Sequence, residues 1–154
     1  QVDALGTKPH MMPLWCTWDK DLGPDKPPSK EFPSTLVQGL FERDIRPLIY
    51  WQPDGEAGTH DNILAGDYDD YIDDWADALH SIGQNVIIRF AHEMNGDWFK
   101  WSVRGMPGNT TTSYCQMWRY VVNRVRARTP FAKWFWCPDR GHLGYAVESY
   151  PGNK

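Results

Sequence analysis

Four short apolar runs recur along the chain and predict four β-strands. They are residues 12–18, 47–51, 86–93 and 133–138. The last three are nearly continuous in apolar residues instead of alternating apolar and polar positions. Such runs are typical of strands that are covered on both faces, as in a parallel sheet. The pattern therefore predicts a parallel sheet.

Three helical patterns lie between these strands, each with apolar residues spaced three and four positions apart on one face. Ser34 or Thr35 can cap the first helix, Gly83 is expected to end the second, and the Thr129-Pro130 pair is expected to end the third. The apolar faces are Leu36, Val37, Leu40 and Phe41; Ile72, Trp75, Ala76 and Leu79; and Tyr114, Met117, Trp118, Val121, Val122 and Val125.

The alternation of strands and helices predicts an α/β fold with right-handed crossovers. Two architectures fit this order: a small doubly wound sheet, or part of a (β/α)8 barrel, which normally needs about 250 residues. No glycine-rich nucleotide-binding motif follows any predicted strand, which disfavours a nucleotide-binding doubly wound sheet. In both architectures, chemistry gathers at the carboxyl ends of the strands.

Composition narrows the classes of ligand. The 154 residues are 41% hydrophobic, which excludes an intrinsically disordered chain. The net charge of −4 shows that the chain lacks the excess of basic residues typical of a nucleic-acid binder. The longest aliphatic run, residues 86–88, is too short to span a bilayer. We therefore expect neither a nucleic-acid nor a membrane partner. Nine tryptophans favour a saccharide ligand, because the C–H faces of sugars stack on aromatic rings.

The cysteines and one glycosylation motif bear on the compartment. Cys16, Cys115 and Cys137 form no metal or redox motif, and they suit either small buried side chains or one disulfide whose pairing the sequence does not select. Asn109-Thr110-Thr111 fits the N-glycosylation pattern in a glycine- and proline-rich segment that we expect to be exposed. The start at Gln1, without a methionine, suggests a processed product. Together these features favour a secreted protein.

Acids, one histidine and several indoles follow the predicted strands. Carboxyl groups for proton transfer beside indoles for stacking are what the cleavage of a neutral polysaccharide requires. Beyond the long segment at residues 89–101, these rim residues are Trp15, Thr17, Trp18 and Asp19; Trp51, Gln52, Pro53 and Asp54; and Trp136, Cys137, Pro138, Asp139 and Arg140.

Metal sites fit the sequence poorly. The segment that begins at His92 and Glu93 lacks the second histidine of the H-E-x-x-H zinc motif, because Gly96 stands in its place. A calcium loop starting at Asp19 would have Pro24 where the loop needs glycine and Lys30 where it needs glutamate. Glu93 itself fits either a catalytic acid or a salt-bridged carboxylate, and Arg89 within an apolar strand calls for a carboxylate partner.

Residues 89–101 (RFAHEMNGDWFKW) strongly resemble the signature of glycoside hydrolase family 26, which contains β-mannanases, mixed-linkage β-glucanases and β-1,3-xylanases. Residues 49–53, 66–69, 134–139 and 150–152 are similar to further segments of that family, in the same order. Glutamate is commoner in the family where Gln52 stands. The resemblance covers nearly the whole chain.

This resemblance implies a partial (β/α)8 TIM barrel, roughly strands 2 to 5. Residues 1–154 would then be a single catalytic-domain segment that is incomplete at both ends. It also implies a retaining, double-displacement mechanism with Glu93 as the general acid/base. The nucleophile, a glutamate that ends the seventh strand in the family, would lie outside this chain. No metal or cofactor is required. The implied substrate-binding residues are His92, Trp98, Trp51, Trp101, Trp136 and Arg89.

The resemblance implies an endo-β-1,4-mannanase that acts on a polysaccharide, is a monomer when full-length, and is inactive as this segment alone. Three alternatives remain at this point. One is a mixed-linkage β-glucanase or β-1,3-xylanase of the same family. Another is a non-catalytic carbohydrate-binding protein that lacks half of the machinery. The third is a metalloenzyme using His92 and Glu93, which the ligand spacing disfavours.

Overall fold

The structure is a computed structural model that describes residues 8–18, 31–54 and 59–152. Four parallel strands in this part of the chain form one sheet in the order β1-β2-β3-β4. The elements in chain order are β1 (Met11–Thr17), α1 (Ser34–Glu42), β2 (Arg46–Gln52), α2 (His60–Leu64), α3 (Asp69–Ile82), β3 (Val86–Phe90), α4 (Thr111–Arg128), β4 (Ala132–Trp134) and α5 (Leu143–Glu148).

The strand order decides between the two predicted architectures. Each strand pairs with the next one in sequence, so the sheet grows in one direction. Right-handed crossovers that all advance in the same direction place their helices on the same face of the sheet, whereas a doubly wound sheet reverses direction and covers both faces. The sheet therefore corresponds to part of a (β/α)8 barrel, and the predicted partial barrel is confirmed.

The strand register sorts side chains into two layers. Cys16, Trp51 and Phe90 are partners in neighbouring strands and are buried under the helices. The preceding row of partners points to the other face and includes Trp15, which is 62% exposed. The sequence predicted strands covered on both faces. Among the described residues the helices cover one face only, and the open face corresponds to the interior of a closed barrel.

β1 ends one residue earlier than predicted, at Thr17, and two other strands end well before their predicted limits. β3 stops at Phe90 and not at Glu93, because Ala91 adopts the left-handed conformation with φ 42°. β4 stops at Trp134 and not at Pro138, although the Phe135 N–H still donates to the Ile88 carbonyl at 2.8 Å. The residues beyond both strands therefore form loops at the carboxyl edge of the sheet.

The three predicted helices are present, but their predicted faces and caps are confirmed only in part, since Leu36 on the predicted face of α1 is 50% exposed. Residues Ile72, Trp75, Ala76 and Leu79 of α3 are all buried, and Gly83 follows the helix with φ 67°. Thr110 caps α4 through a reciprocal pair of hydrogen bonds with Ser113. The cap predicted for α1 is wrong, because Pro33 precedes that helix and no side chain caps it. Helices α2 and α5 were not predicted, since five or six residues are too few to show a period.

Aromatic rings fill the layer between the sheet and the helices. The indole of Trp51 stacks on that of Trp75, with ring centroids 4.7 Å apart, and its Nε1–H donates to the Tyr71 hydroxyl at 3.0 Å. Trp18 packs against Trp51 at 4.8 Å and against Phe90 at 5.7 Å. Several of the nine tryptophans are therefore core residues that hold α3 against β2 and β3.

The glycosylation motif is not exposed as expected. Asn109 is only 8% exposed, and its Nδ2 donates to the backbone carbonyls of Lys100 at 2.8 Å and Ser102 at 3.2 Å. Its Oδ1 accepts from the His60 N–H. The nitrogen that would carry a glycan is thus a donor inside the fold. The expectation of an exposed acceptor is wrong, because the side chain is needed to hold the loop before α4.

No disulfide joins the three cysteines, of which Cys16 and Cys115 are buried and Cys137 is half-buried. Burial raises the pKa of the Cys16 thiol to about 12, which keeps it protonated. Among the described residues, no helix has the length and apolar composition needed to cross a membrane.

Candidate active site

Glu93 stands at the carboxyl edge of the sheet, just past the end of β3. Ala91 and Glu93 both have left-handed backbone conformations, with φ 42° and 54°, and each costs about 1 kcal/mol or more for a residue with a Cβ. The Glu93 N–H donates to the Cys137 carbonyl at 2.7 Å, beyond the end of β4. This turn lifts Glu93 out of the strand and directs its side chain along the rim.

Two donors hold the Glu93 carboxyl group. The Arg89 Nη2 donates to Oε1 at 3.1 Å, and the Trp98 Nε1–H donates to Oε2 at 3.3 Å. The carboxyl group remains partly open to solvent. The predicted carboxylate partner of Arg89 is therefore Glu93 itself. The salt-bridged and the catalytic interpretations of Glu93 describe the same geometry.

Trp98 provides an exposed ring beside this carboxyl group. Its indole is 50% exposed. Gly96 allows the ring to fold back toward Glu93, because a Cβ at Gly96 would lie only 2.5 Å from the indole. The sequence singled out Trp98 but did not show why a glycine is needed two residues earlier.

His92 lies buried beneath the rim. Burial lowers its pKa to about 4, and the charge of Arg89 adds to the shift, so the imidazole is neutral near pH 7. The rings of Tyr50 and Phe99 meet it edge-on at 5.4 and 5.0 Å. Its Nδ1 is itself buried and has no hydrogen-bond partner within the described ranges.

The Asn95 side chain joins the two rim loops through hydrogen bonds. The sequence patterns did not identify it as a site residue. Its Nδ2 donates to the Asp139 carbonyl and its Oδ1 accepts from the Asp139 N–H, both at 2.8 Å. Nδ2 also donates to the Gly141 carbonyl. Asn95 is fully buried, and it fixes the loop after β4 against the loop that carries Glu93.

The predicted tryptophan ligands separate into core and rim. Trp51 is 1% exposed and Trp101 is fully buried, so neither presents a ring face to a ligand. Trp101 instead stacks on Phe99 at 4.3 Å and donates to the His92 carbonyl at 2.7 Å, which supports the loop from below. Trp136 is half-buried with its ring edge-on to Tyr150 at 5.0 Å. Trp98 is the predicted tryptophan that contacts Glu93.

The remaining predictions concern metals and Asp19. No group of three or more His, Cys, Asp or Glu side chains in the described part of the chain is placed to hold a metal ion. His92 and Glu93 therefore have no further ligand group beside them in that part of the chain. Residues 19–30, which include Asp19 and were compared above with a calcium loop, lie outside the described residues.

Solved structures with this fold are known. The sheet and helices are similar to the catalytic domain of the GH26 endo-β-1,4-mannanase of Bacillus sp. JAMB-750, with a TM-score of 0.64 and 20% identity over 77% of this chain and 37% of that one. They are also similar to a β-mannanase from a symbiotic protist of the termite Reticulitermes speratus, with a TM-score of 0.65 and 20% identity over 98% of this chain and 55% of that one. At such identities the likeness concerns the fold.

A relative and a family match bear on the sequence. Endoglucanase H of Acetivibrio thermocellus is 32% identical over 112 residues, which are 70% of this chain and 12% of that protein. The chain thus spans a small part of that relative and about a third to a half of the two mannanase structures. The family Glycosyl hydrolase family 26 matches residues 49–154, which include the Glu93 loop, Trp98 and Trp136. The chain therefore belongs to glycosyl hydrolase family 26.

Proposed function

We propose that this chain carries the acid/base half of the active site of a retaining glycoside hydrolase that cleaves β-linked polysaccharide. The observation that carries the proposal is the Glu93 carboxyl group at the barrel rim, held on one oxygen by Arg89 and on the other by Trp98, whose ring is half exposed. A second carboxylate would come from the rest of the barrel, because a retaining enzyme needs one about 5–5.5 Å from the acid.

In the first step Glu93 donates its proton to the glycosidic oxygen while the second carboxylate attacks the anomeric carbon. The C–O bond to the leaving sugar breaks and a glycosyl-enzyme bond forms. In the second step the Glu93 carboxylate takes a proton from water, which displaces the enzyme carboxylate. The Trp98 ring would stack on a sugar beside the cleaved bond and place it against Glu93.

His92 is proposed to contact the second carboxylate or the sugar from below. Its neutral ring and a buried Nδ1 that has no hydrogen-bond partner among the described residues support this role, since a neutral imidazole can donate a hydrogen bond without adding charge. Trp136 remains a candidate for a more distant sugar contact. Arg89 acts on Glu93 and is not proposed to touch the sugar.

Mannan is the proposed substrate. The enzyme is proposed to cleave β-1,4 linkages in the interior of the polysaccharide. Support comes from the two mannanase structures named above, one of which holds a bound gluco-manno-oligosaccharide. The relative named Endoglucanase H favours the alternative of a β-glucanase from the same family. Secretion and a monomeric full-length protein are proposed along with this function, since polysaccharides are extracellular substrates.

The test is hydrolysis by the full-length protein of galactomannan, mixed-linkage β-glucan and β-1,3-xylan, measured as reducing ends. We expect galactomannan to be the best substrate and Glu93→Gln to lower kcat by about 10²–10⁴-fold. Glu148→Gln, at an exposed carboxylate on α5, is the matched control. Unchanged activity of the Glu93 variant would contradict its role. Binding of manno-oligosaccharides by calorimetry without any hydrolysis would instead favour the non-catalytic carbohydrate-binding alternative.

A further inference from the structure

Three side chains form a row across the open face of the sheet. Trp15, Tyr50 and Arg89 are register partners on β1, β2 and β3, so the strand period places them on one face. The rings of Trp15 and Tyr50 stack with centroids 4.7 Å apart and planes 24° apart. The guanidinium carbon of Arg89 lies 4.6 Å from the Tyr50 ring centroid. We call these three residues the Trp15–Tyr50–Arg89 row.

The row ends on the Glu93 carboxyl group, because Arg89 donates to its Oε1 at 3.1 Å. An arginine side chain has several free torsions, and holding its fork in one place costs conformational entropy unless a neighbour restricts it. The Tyr50 ring supplies that restriction through a cation–π contact with a guanidinium that is 12% exposed. Tyr50 is itself held between Trp15 and the ring of His92.

Resting on the proposed role of Glu93 as the acid/base, we propose that Tyr50 is a positioning residue for Glu93 that acts through Arg89. Arginine only donates hydrogen bonds, so the Glu93 oxygen that faces it must act as an acceptor. The Trp98 Nε1–H also only donates, and it faces Oε2 at 3.3 Å. Arg89 therefore fixes where the Glu93 carboxyl group stands, and with it the O–H bond that breaks when the leaving sugar is protonated and re-forms when water is deprotonated.

A different explanation of the row is that the stacked rings only cover the sheet. That explanation predicts a loss of stability when Tyr50 is replaced, with every substrate affected equally. The positioning role predicts a loss confined to substrates that need a proton from Glu93. The two explanations therefore differ in how activity depends on the leaving group and not merely in how much activity remains.

The experiment uses the full-length protein and two aryl β-glycosides of the sugar that the wild type hydrolyses. A dinitrophenyl leaving group departs without protonation, whereas a phenyl group needs it, and kcat/KM reports the first step in both cases. We expect Tyr50→Leu to lower kcat/KM about 10–100-fold on the phenyl glycoside and less than about 3-fold on the dinitrophenyl glycoside. Tyr50→Phe keeps the ring face over the guanidinium, and we expect it to recover most of the phenyl-glycoside activity that Tyr50→Leu loses.

An equal loss on both glycosides, or no loss in a folded Tyr50→Leu protein, overturns the inference. If Tyr50→Leu does not fold, Arg89→Lys keeps the charge but loses the planar stacking group, and it must show the same dependence on the leaving group. Glu93→Ala separates the two proposals. If Glu93→Ala shows that dependence and the Tyr50 and Arg89 variants do not, only the positioning role falls. If Glu93→Ala does not show it, the proposed function falls as well.

Discussion

At the scale of single residues, the Glu93 loop depends on backbone conformations and small side chains that local patterns do not reveal. The left-handed turn at Ala91 ends β3 and raises Glu93 to the rim. Gly96 leaves room for the indole whose N–H reaches the Glu93 carboxyl group. The sequence singled out Glu93 and Trp98 through their motif, and the structure shows the hydrogen bond that joins them.

Gly96→Ala tests this arrangement. The added Cβ would lie 2.5 Å from the Trp98 ring, so the ring must move and its hydrogen bond to Glu93 must lengthen or break. We expect kcat on polysaccharide to fall about 10-fold or more in the full-length protein, since misplaced catalytic contacts are costly. Gly144→Ala on α5, where a Cβ meets nothing within 4 Å, is the matched control. Equal activity of the two variants would mean that the ring position does not matter.

His92 predicts a pH dependence of folding. Its pKa is lowered from 6.5 to about 4, mainly by burial, so the unfolded chain binds a proton between these values while the folded protein does not. The free energy of unfolding should therefore fall as pH drops from 6.5 toward 4, by up to about 3 kcal/mol from this group.

Denaturant unfolding of the wild type and His92→Asn across this pH range checks that expectation, with the exposed His10→Asn as control. The slope with pH should be smaller in the His92 variant and unchanged in the His10 variant. Parallel curves for wild type and His92→Asn would show that this histidine is not held neutral.

At the scale of elements, α3 and α4 are joined by ion pairs that the sequence did not predict. Asp69, Asp73 and Asp77 lie one turn apart along α3, a spacing that by itself is typical of a solvated helix face. Instead, Arg124 contacts Asp73 and Asp69 at 2.7 Å, and Arg128 contacts Asp73 at 2.7 Å and Asp77 at 3.0 Å. The pairs span more than fifty positions in sequence, so only the packing of the two helices brings them together.

Asp73→Asn tests the value of these pairs. Partial burial opposes ionisation of Asp73, but the hydrogen bonds and charges of Arg124 and Arg128 outweigh it and lower the pKa of the carboxyl group. Its contribution to stability is thus present above about pH 4 and is lost as pH falls below that value.

We expect the variant to lose about 1–3 kcal/mol of unfolding free energy at pH 7, the range for hydrogen bonds to charged groups. Asp74→Asn, at the neighbouring exposed position on α3, is the control. Thermal unfolding of both variants at pH 7 and pH 3 measures the effect. A difference between them that is as large at pH 3 as at pH 7 would rule out the ion pairs as its source.

At the scale of the whole molecule, the described part of the chain leaves one face and two edges of the four-stranded sheet uncovered. Trp15 and Phe135 are 62% and 51% exposed on or beside β1 and β4. Exposed strand edges and apolar faces promote association between chains. The chain also spans only about half or less of the mannanase structures it resembles.

Residues 1–154 expressed alone are therefore expected to be inactive on galactomannan and to associate. Size-exclusion chromatography and a reducing-end assay, with the full-length protein alongside, check both points. A monomeric and active segment would contradict the barrel assignment of the open face and the need for a carboxylate from elsewhere.

Apolar periodicity along the chain was enough to predict the α/β class, four strands, and three of the five helices found among the described residues, because these patterns are local. The thirteen-residue motif was enough to indicate the family and to single out Glu93, since it concentrates an acid, a histidine and indoles after one strand. What only the tertiary structure decided were relations between distant residues. Trp51 and Trp101 entered the core while Trp98 stayed on the rim.

Burial also turned Asn109 from a glycosylation candidate into a buried donor. The register of three strands set Tyr50 between Trp15 and Arg89. The physical reason is that the surroundings of a side chain depend on which strand lies beside its own and on where the chain turns, and neither is encoded in the residues next to it.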